Sequence, residues 1–297
     1  MLFSLTLSIV FFISSTGLKA QEDEVNISGL LKEMVDREKI TQFPTINYQS
    51  KQASSYNRES VSPDLPGWFA DSDGVSYEKV QEVNGKKEWV LMEDIGPGVI
   101  TKIWAVCFYY GLDNTEGANI NIYLDGNPKP VISTNFFDLV QGNDFIKPPF
   151  ADTSTRAGNL YFPIPYAKGC KITMDKKAFY NIINYRKYPE GTKVKTFTME
   201  DFDKASKVRN EVGKILTEYR LPKGTKKEQE KAIGPLESII FDLPKGNNSV
   251  QEFQIRLTAA SDMAQALRSV VLQSNFDDVK TIWAPVGDFF NNVGKLQ

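Results

Sequence analysis

The chain has 297 residues, 41% of them hydrophobic and 24% charged, with a formal net charge of -2. Those values describe a globular chain rather than a disordered one, and give no electrostatic reason for nucleic acid or an anionic membrane as partner. With no His and two Cys, His-based triads, His-ligated zinc and Cys-rich metal sites are excluded, no cofactor is expected, and acid–base chemistry falls to Asp, Glu, Tyr or Lys.

Leu2 to Ser15 is an almost unbroken apolar run, and Leu18-Lys19-Ala20 places a small residue where a signal peptidase cuts. Residues 1–20 therefore read as a signal peptide, and the mature protein as periplasmic or secreted. No membrane span or lipid-accepting Cys follows the cleavage point. Residues 21–49 hold a short packing helix and linker, with Ser28 as cap, Leu30, Leu31, Met34 and Val35 at helical spacing, and Thr41 and Pro44 as its end.

From residue 50 to 196 short runs rich in Val, Ile, Tyr, Phe and Trp alternate with Gly, Asn, Asp and Pro. Strands are expected at 98–110, 118–124, 129–137, 160–163, 170–174 and 179–188, with a turn at Asp125-Gly126-Asn127-Pro128. Such a series indicates a mainly β fold of the jelly-roll or β-sandwich type. Cys107 and Cys170 adjoin apolar runs and read as buried thiols rather than a disulfide scaffold.

Residues 197–248 read as an inserted amphipathic helix, with Phe202, Ala205, Val208, Val212, Ile215 and Tyr219 at spacings of three and four, a weak capping box at Thr198 and Asp201, and a stop at Leu221 to Gly224. Strands are expected again at 250–257 and 267–272. The stretches 122–138 and 272–290 share a scheme of strand, acidic turn, strand with Pro, and an Asp beside a Phe-Phe pair. Asp125 precedes Phe136 by 11 positions, and Asp278 precedes Phe289 by 11. Residues 249–297 thus read as the beginning of a second jelly-roll unit, and the sequence as part of a longer protein.

Five segments carry a family resemblance: ASSYNRES (53–60), WVLMEDIGPGVITKIWAV (89–106), YLDGNPKPVISTNFFDLVQG (123–142), GNLYFPIPYAKGCKI (158–172) and APVGDFFNNVG (284–294). In this order they resemble the N-terminal part of the domain-of-unknown-function family 2961, glycoside hydrolase family 172. The resemblance implies two jelly rolls per subunit, assembly into homotrimers, and exo-type hydrolysis or transfer of furanosyl sugars such as fructofuranosides and arabinofuranosides. It also implies a retaining mechanism through two Glu residues of the second jelly roll, expected beyond residue 297. The family tends to show Asp where this chain has Asn57.

The residues themselves allow a sugar site. Ser54, Ser55, Tyr56, Asn57 and Arg58 bring hydroxyl, amide and guanidinium groups together, and read either as ligand donors or as a polar turn. Asp71 and Asp73 read as an acidic ligand-facing loop or an Asx-type turn. Trp68 and Trp104 could stack on a sugar ring, although Trp104 lies in an apolar strand, as a core residue would. Phe136, Phe137 and Asp138 could line a pocket wall, and Arg186 bind ligand or form a surface ion pair. Glu93 and Asp94 are adjacent on a strand, point to opposite faces, and cannot flank one glycosidic bond. Two functions follow: a furanoside hydrolase with a carbohydrate substrate, or a carbohydrate-binding or structural jelly-roll protein without chemistry.

Overall fold

The computed structural model describes residues 24–66, 68–70, 79–83, 85–106, 117–154, 156–177, 180–218, 227–243, 245–246, 250, 252–259 and 261–290. The expected signal peptide, Asp71, Asp73 and Cys107 lie outside these residues. The chain divides into two compact units, Met1–Leu221 and Pro222–Gln297.

The first unit opens with α1 (Ile27–Glu33). Its cap is Asn26, whose side chain accepts from the Gly29 N–H at 3.0 Å, and not Ser28 as the spacing predicts. The helix ends at Glu33, well before Pro44. Then follow β1 (Gln49–Ser54), β2 (Lys79–Val83), β3 (Lys86–Ile95), β4 (Gly98–Val106), β5 (Asn119–Leu124), β6 (Ile132–Asn135), α2 (Phe136–Gln141), β7 (Ala151–Ser154), β8 (Ala157–Leu160), β9 (Ile164–Tyr166), β10 (Gly169–Met174) and β11 (Asn181–Lys187). Two helices, α3 (Met199–Lys204) and α4 (Ser206–Thr217), close the unit.

The strands form two antiparallel sheets. One runs β1-β11-β4-β8-β7, with β9 also paired to β4; the other runs β2-β3-β10-β5-β6. Ile100, Ile103, Leu160 and Ile183 of the first sheet and Met92, Ile120, Ile122 and Ile172 of the second belong to one buried core. The fold is a β-sandwich, as the sequence pattern indicates. Phe150, Phe162, Phe197 and Phe202 extend the core toward α3, with ring centroids 5.4 to 6.4 Å apart and steep interplanar angles. Edge-to-face contacts of this kind add to the burial of the rings.

Several local expectations are corrected. The strand expected at 129–137 ends at Asn135, because the Asn135 side chain accepts from the Asp138 N–H and starts α2. Phe136, Phe137 and Asp138 are therefore the first turn of a helix. The single amphipathic helix is two, separated at Ala205; Thr198 caps α3 as expected, accepting from the Asp201 N–H at 3.0 Å. Trp104 is not a core residue. Its neighbours Ile103 and Ala105 are buried while Trp104 is half-exposed, which places it on the outer face of β4.

In the second unit residues 252–257 form no strand, and 263–269 are helix α5 (Met263–Ser269), capped by Asp262. The strand expected at 267–272 instead begins at Val271, as β12 (Val271–Phe276), and pairs with β13 (Val279–Pro285) before α6 (Val286–Phe289). Strand, left-handed turn, strand and short helix thus recur. Asp125 and Gly126 have φ 56 and 75, and Asp277 and Asp278 have φ 50 and 61. The second hairpin is tighter, with Phe276 directly opposite Val279.

Candidate functional site

The polar segment after β1 folds back on itself. Ser55 is buried and prolongs the pairing with β11: its N–H donates to the Asn181 carbonyl at 3.1 Å, and its hydroxyl oxygen accepts from the Asn181 N–H at 3.0 Å. Asn57, also buried, accepts from the Glu59 N–H on its side chain and from the Ser60 N–H on its carbonyl. Arg58 Nη1 donates to the carbonyls of Ser54 and Tyr56, each at 2.8 Å, and its guanidinium lies 4.3 Å from the Tyr56 ring centroid. A cation over an aromatic face adds to the two hydrogen bonds, so Arg58 braces the turn. Tyr56 is left 50% exposed at its rim.

The other predicted residues lie elsewhere. Arg186 stands opposite Ser50, four residue positions from the Ser54–Ile182 pair, or about 14 Å along the strand. It donates to Glu33 Oε1 at 2.7 Å and covers the Tyr48 ring at 4.4 Å, tying α1 to β11. Phe137 is half-buried against the core, and Asp138 is exposed on α2, which packs beside β7 and β8 at the sheet edge opposite β1. The structure thus joins Ser54, Ser55, Asn57 and Arg58 in one turn and separates them from Phe137, Asp138 and Arg186.

Carboxylates decide what chemistry the sandwich can offer. Glu93 is exposed and paired with Lys79, whereas Asp94 is buried and accepts from the Tyr166 hydroxyl at 3.0 Å and Lys187 Nζ at 2.9 Å. The two side chains take opposite faces of β3, as adjacent strand residues must. Burial, reinforced by the Asp94 charge, pushes the Tyr166 phenol far above its ordinary range. Asp125 turns inward to backbone: Oδ1 accepts from the N–H groups of Ala167, Lys168 and Gly169, and Oδ2 from the Thr196 hydroxyl. An open groove of about 440 Å³, lined in part by Asn127, Lys129 and Thr198, lies over this turn.

Sequence reading missed Glu88. It is buried on β3, where Oε1 accepts from the Tyr123 hydroxyl at 2.9 Å and Asn121 Nδ2 at 3.4 Å, and Oε2 from the Thr173 hydroxyl at 2.8 Å. Ser133 continues the chain of bonds by donating to Asn121 Oδ1. The one signal in the sequence is an acid at the start of the apolar run WVLM. Burial and then the Glu88 hydrogen bond push the Tyr123 phenol from 10.0 up to about 12. The unfolded phenol ionises first, so this contribution to stability is whole below pH 10 and is lost as pH rises toward 12. Glu88→Ala should cost about 2 to 3 kcal/mol by leaving buried donors unpaired, and Glu88→Gln distinctly less. Urea unfolding measures both, and a Glu88→Ala variant as stable as the wild type would refute the network's role.

Two antiparallel sheets packed face to face around one core define a β-sandwich domain. Residues 46–205, more than half of the chain, match the family model described as the GH172 first beta-sandwich domain. The chain belongs to glycoside hydrolase family 172. No curated protein matches it.

Proposed function

We propose that this chain is the N-terminal part of an exported, retaining glycoside hydrolase acting on furanosyl linkages, fructofuranosyl or arabinofuranosyl, and that it works as a homotrimer in the periplasm or outside the cell. The observation that carries the reading is the match of residues 46–205 to the first sandwich domain of a glycoside hydrolase family. Retaining hydrolysis needs two carboxyl groups about 5 to 5.5 Å apart, one ionised and one protonated. Glu88, Asp94 and Asp125 of the sandwich are each held by structural donors, which fits a catalytic Glu pair supplied from outside this domain. The role left to the sandwich is to build a wall of the sugar site, with the Ser54–Arg58 turn as its polar lip. In that role the exposed Tyr56 and the part-buried Ser54 face the sugar, while the buried Ser55 and Asn57 and the bracing Arg58 keep the turn in shape.

The natural full-length protein should hydrolyse an aryl arabinofuranoside or fructofuranoside with net retention, read by NMR of the first-formed anomer. Arg58→Ala should lower kcat/KM by on the order of a hundredfold and Tm by a few degrees, because the variant loses both the shape of the lip and the charged hydrogen bonds, worth about 1.5 to 3 kcal/mol, that brace it. A lower Tm with unchanged kinetics would make Arg58 a brace and nothing more. Inactivity on every furanoside tested would favour a carbohydrate-binding protein without chemistry.

A further inference from the structure

The outer face of the six-stranded sheet carries a feature that the hydrolase reading uses only at its Ser54 end. Register aligns Ser54, Ile182, Trp104 and Asn159 in one row across β1, β11, β4 and β8. Their sequence neighbours Ala53, Ile183, Ile103 and Leu160 point into the core, so this row faces out. A second outward row, two residues along, holds Gln52, Asn184 and Lys102, in which Asn184 Nδ2 donates to Gln52 Oε1 at 3.2 Å.

Beside Asn159 stands Tyr161, 44% exposed, with Lys102 Nζ 5.5 Å from its ring centroid and its hydroxyl 3.4 Å from Asn159 Oδ1. Asn159 Nδ2 in turn donates to the Ser154 hydroxyl at 2.9 Å, which holds the amide flat against the sheet. Three strand spacings make the first row about 14 Å wide, enough for more than one sugar ring.

We propose that this strip is a second carbohydrate-binding surface, separate from hydrolysis, and that it takes a neutral glycan chain. Two partly exposed rings, Trp104 and Tyr161, offer flat apolar faces for the C–H face of a sugar, and the side-chain amides of Asn184 and Gln52 offer donors and acceptors for its hydroxyls, while the buried Asn159 supports the Tyr161 hydroxyl from beneath. The first row continues on β7 to the exposed Asp152, whose Oδ1 accepts from the Thr153 N–H at 2.7 Å, and the second row holds one cation, Lys102, set over Tyr161, so the strip carries no net charge. That chemistry suits a polyhydroxylated uncharged ligand. It suits a protein partner poorly, because docking an apolar surface would strip water from two amides and a carboxylate without replacing their bonds.

The test is native electrophoresis of the full chain in gels cast with soluble arabinan, with levan, or with polygalacturonate as a charged control. The wild type should be retarded by a neutral polysaccharide. Trp104→Ala and Tyr161→Ala should each weaken that retention by about tenfold in apparent Kd, with Tm held within a few degrees. Two variants keep the test sound if one folds poorly. The proposal is overturned if the wild type migrates freely in both neutral gels, if both variants are retarded as strongly as the wild type, or if polygalacturonate retards it most. A change of oligomeric state in Trp104→Ala, read by light scattering, would also overturn it by assigning the face to a second copy of the chain. Because the readout is binding, failure here leaves the hydrolase reading standing, and loss of hydrolysis leaves this one standing.

Discussion

Asp125→Ala is expected to destabilise the sandwich by about 4 kcal/mol, the largest effect of any single substitution considered. The Asp125 carboxylate accepts from the N–H groups of Ala167 at 3.0 Å, Lys168 at 2.6 Å and Gly169 at 3.2 Å, and from the Thr196 hydroxyl. One side chain therefore joins the β5 turn to the start of β10 and to the approach to α3. Charge-assisted bonds of this kind are each worth more than a neutral pair, and their loss leaves backbone donors without partners in a partly buried turn. The backbone adds to the cost, because Asp125 sits at φ 56, a left-handed conformation that Asp and Asn tolerate better than Ala. Asp125→Asn keeps both an acceptor oxygen and the tolerant backbone and should cost less than half as much. Chemical unfolding of the two variants gives the comparison, and equal losses would show that the stabilisation rests on the carboxylate charge rather than on acceptor geometry and backbone tolerance.

The second large effect is expected for Gly98→Ala, with a loss of about 3 kcal/mol or more. A methyl group at Gly98 would collide with the hydroxyl end of Tyr166 and would lie 2.7 Å from the Arg186 carbonyl of the paired strand β11. Neither neighbour can yield. Tyr166 is fully buried and its hydroxyl donates to Asp94, which also holds Lys187, while the carbonyl belongs to the sheet ladder. Gly98 has an ordinary backbone conformation, so the whole effect is steric and comes from overpacking a closed core. Calorimetry should show a Tm lower by well over ten degrees or no cooperative transition at all. The double variant Gly98→Ala with Tyr166→Phe should recover part of the loss, since removing the hydroxyl clears one of the colliding atoms. A Gly98→Ala protein melting within a degree of the wild type would contradict this packing.

Much of this protein is determined by short-range pattern. Val, Ile and Tyr runs punctuated by Gly, Asn and Asp give the strands of the sandwich; the left-handed turn at Asp125-Gly126 follows from residues that accept positive φ; and the Thr198 cap follows from a hydroxyl three residues before a free N–H. The lack of His excludes whole classes of chemistry before any fold is known. The tertiary structure decided what local pattern leaves equal. GVITKIWAV is apolar on both sides of the strand, so periodicity cannot say which face Trp104 takes, and only the pairing of Ile103 with Ile183 and Leu160 turns it outward. The run Phe136-Phe137-Asp138 reads as strand until the Asn135 side chain caps it as a helix. Glu88 looks like a charged edge residue; its partners Tyr123 and Thr173 lie 35 and 85 positions away and meet it only across β3, β10 and β5. A buried polar network is specified by which strands lie side by side, and that is a property of the closed fold rather than of any window of sequence.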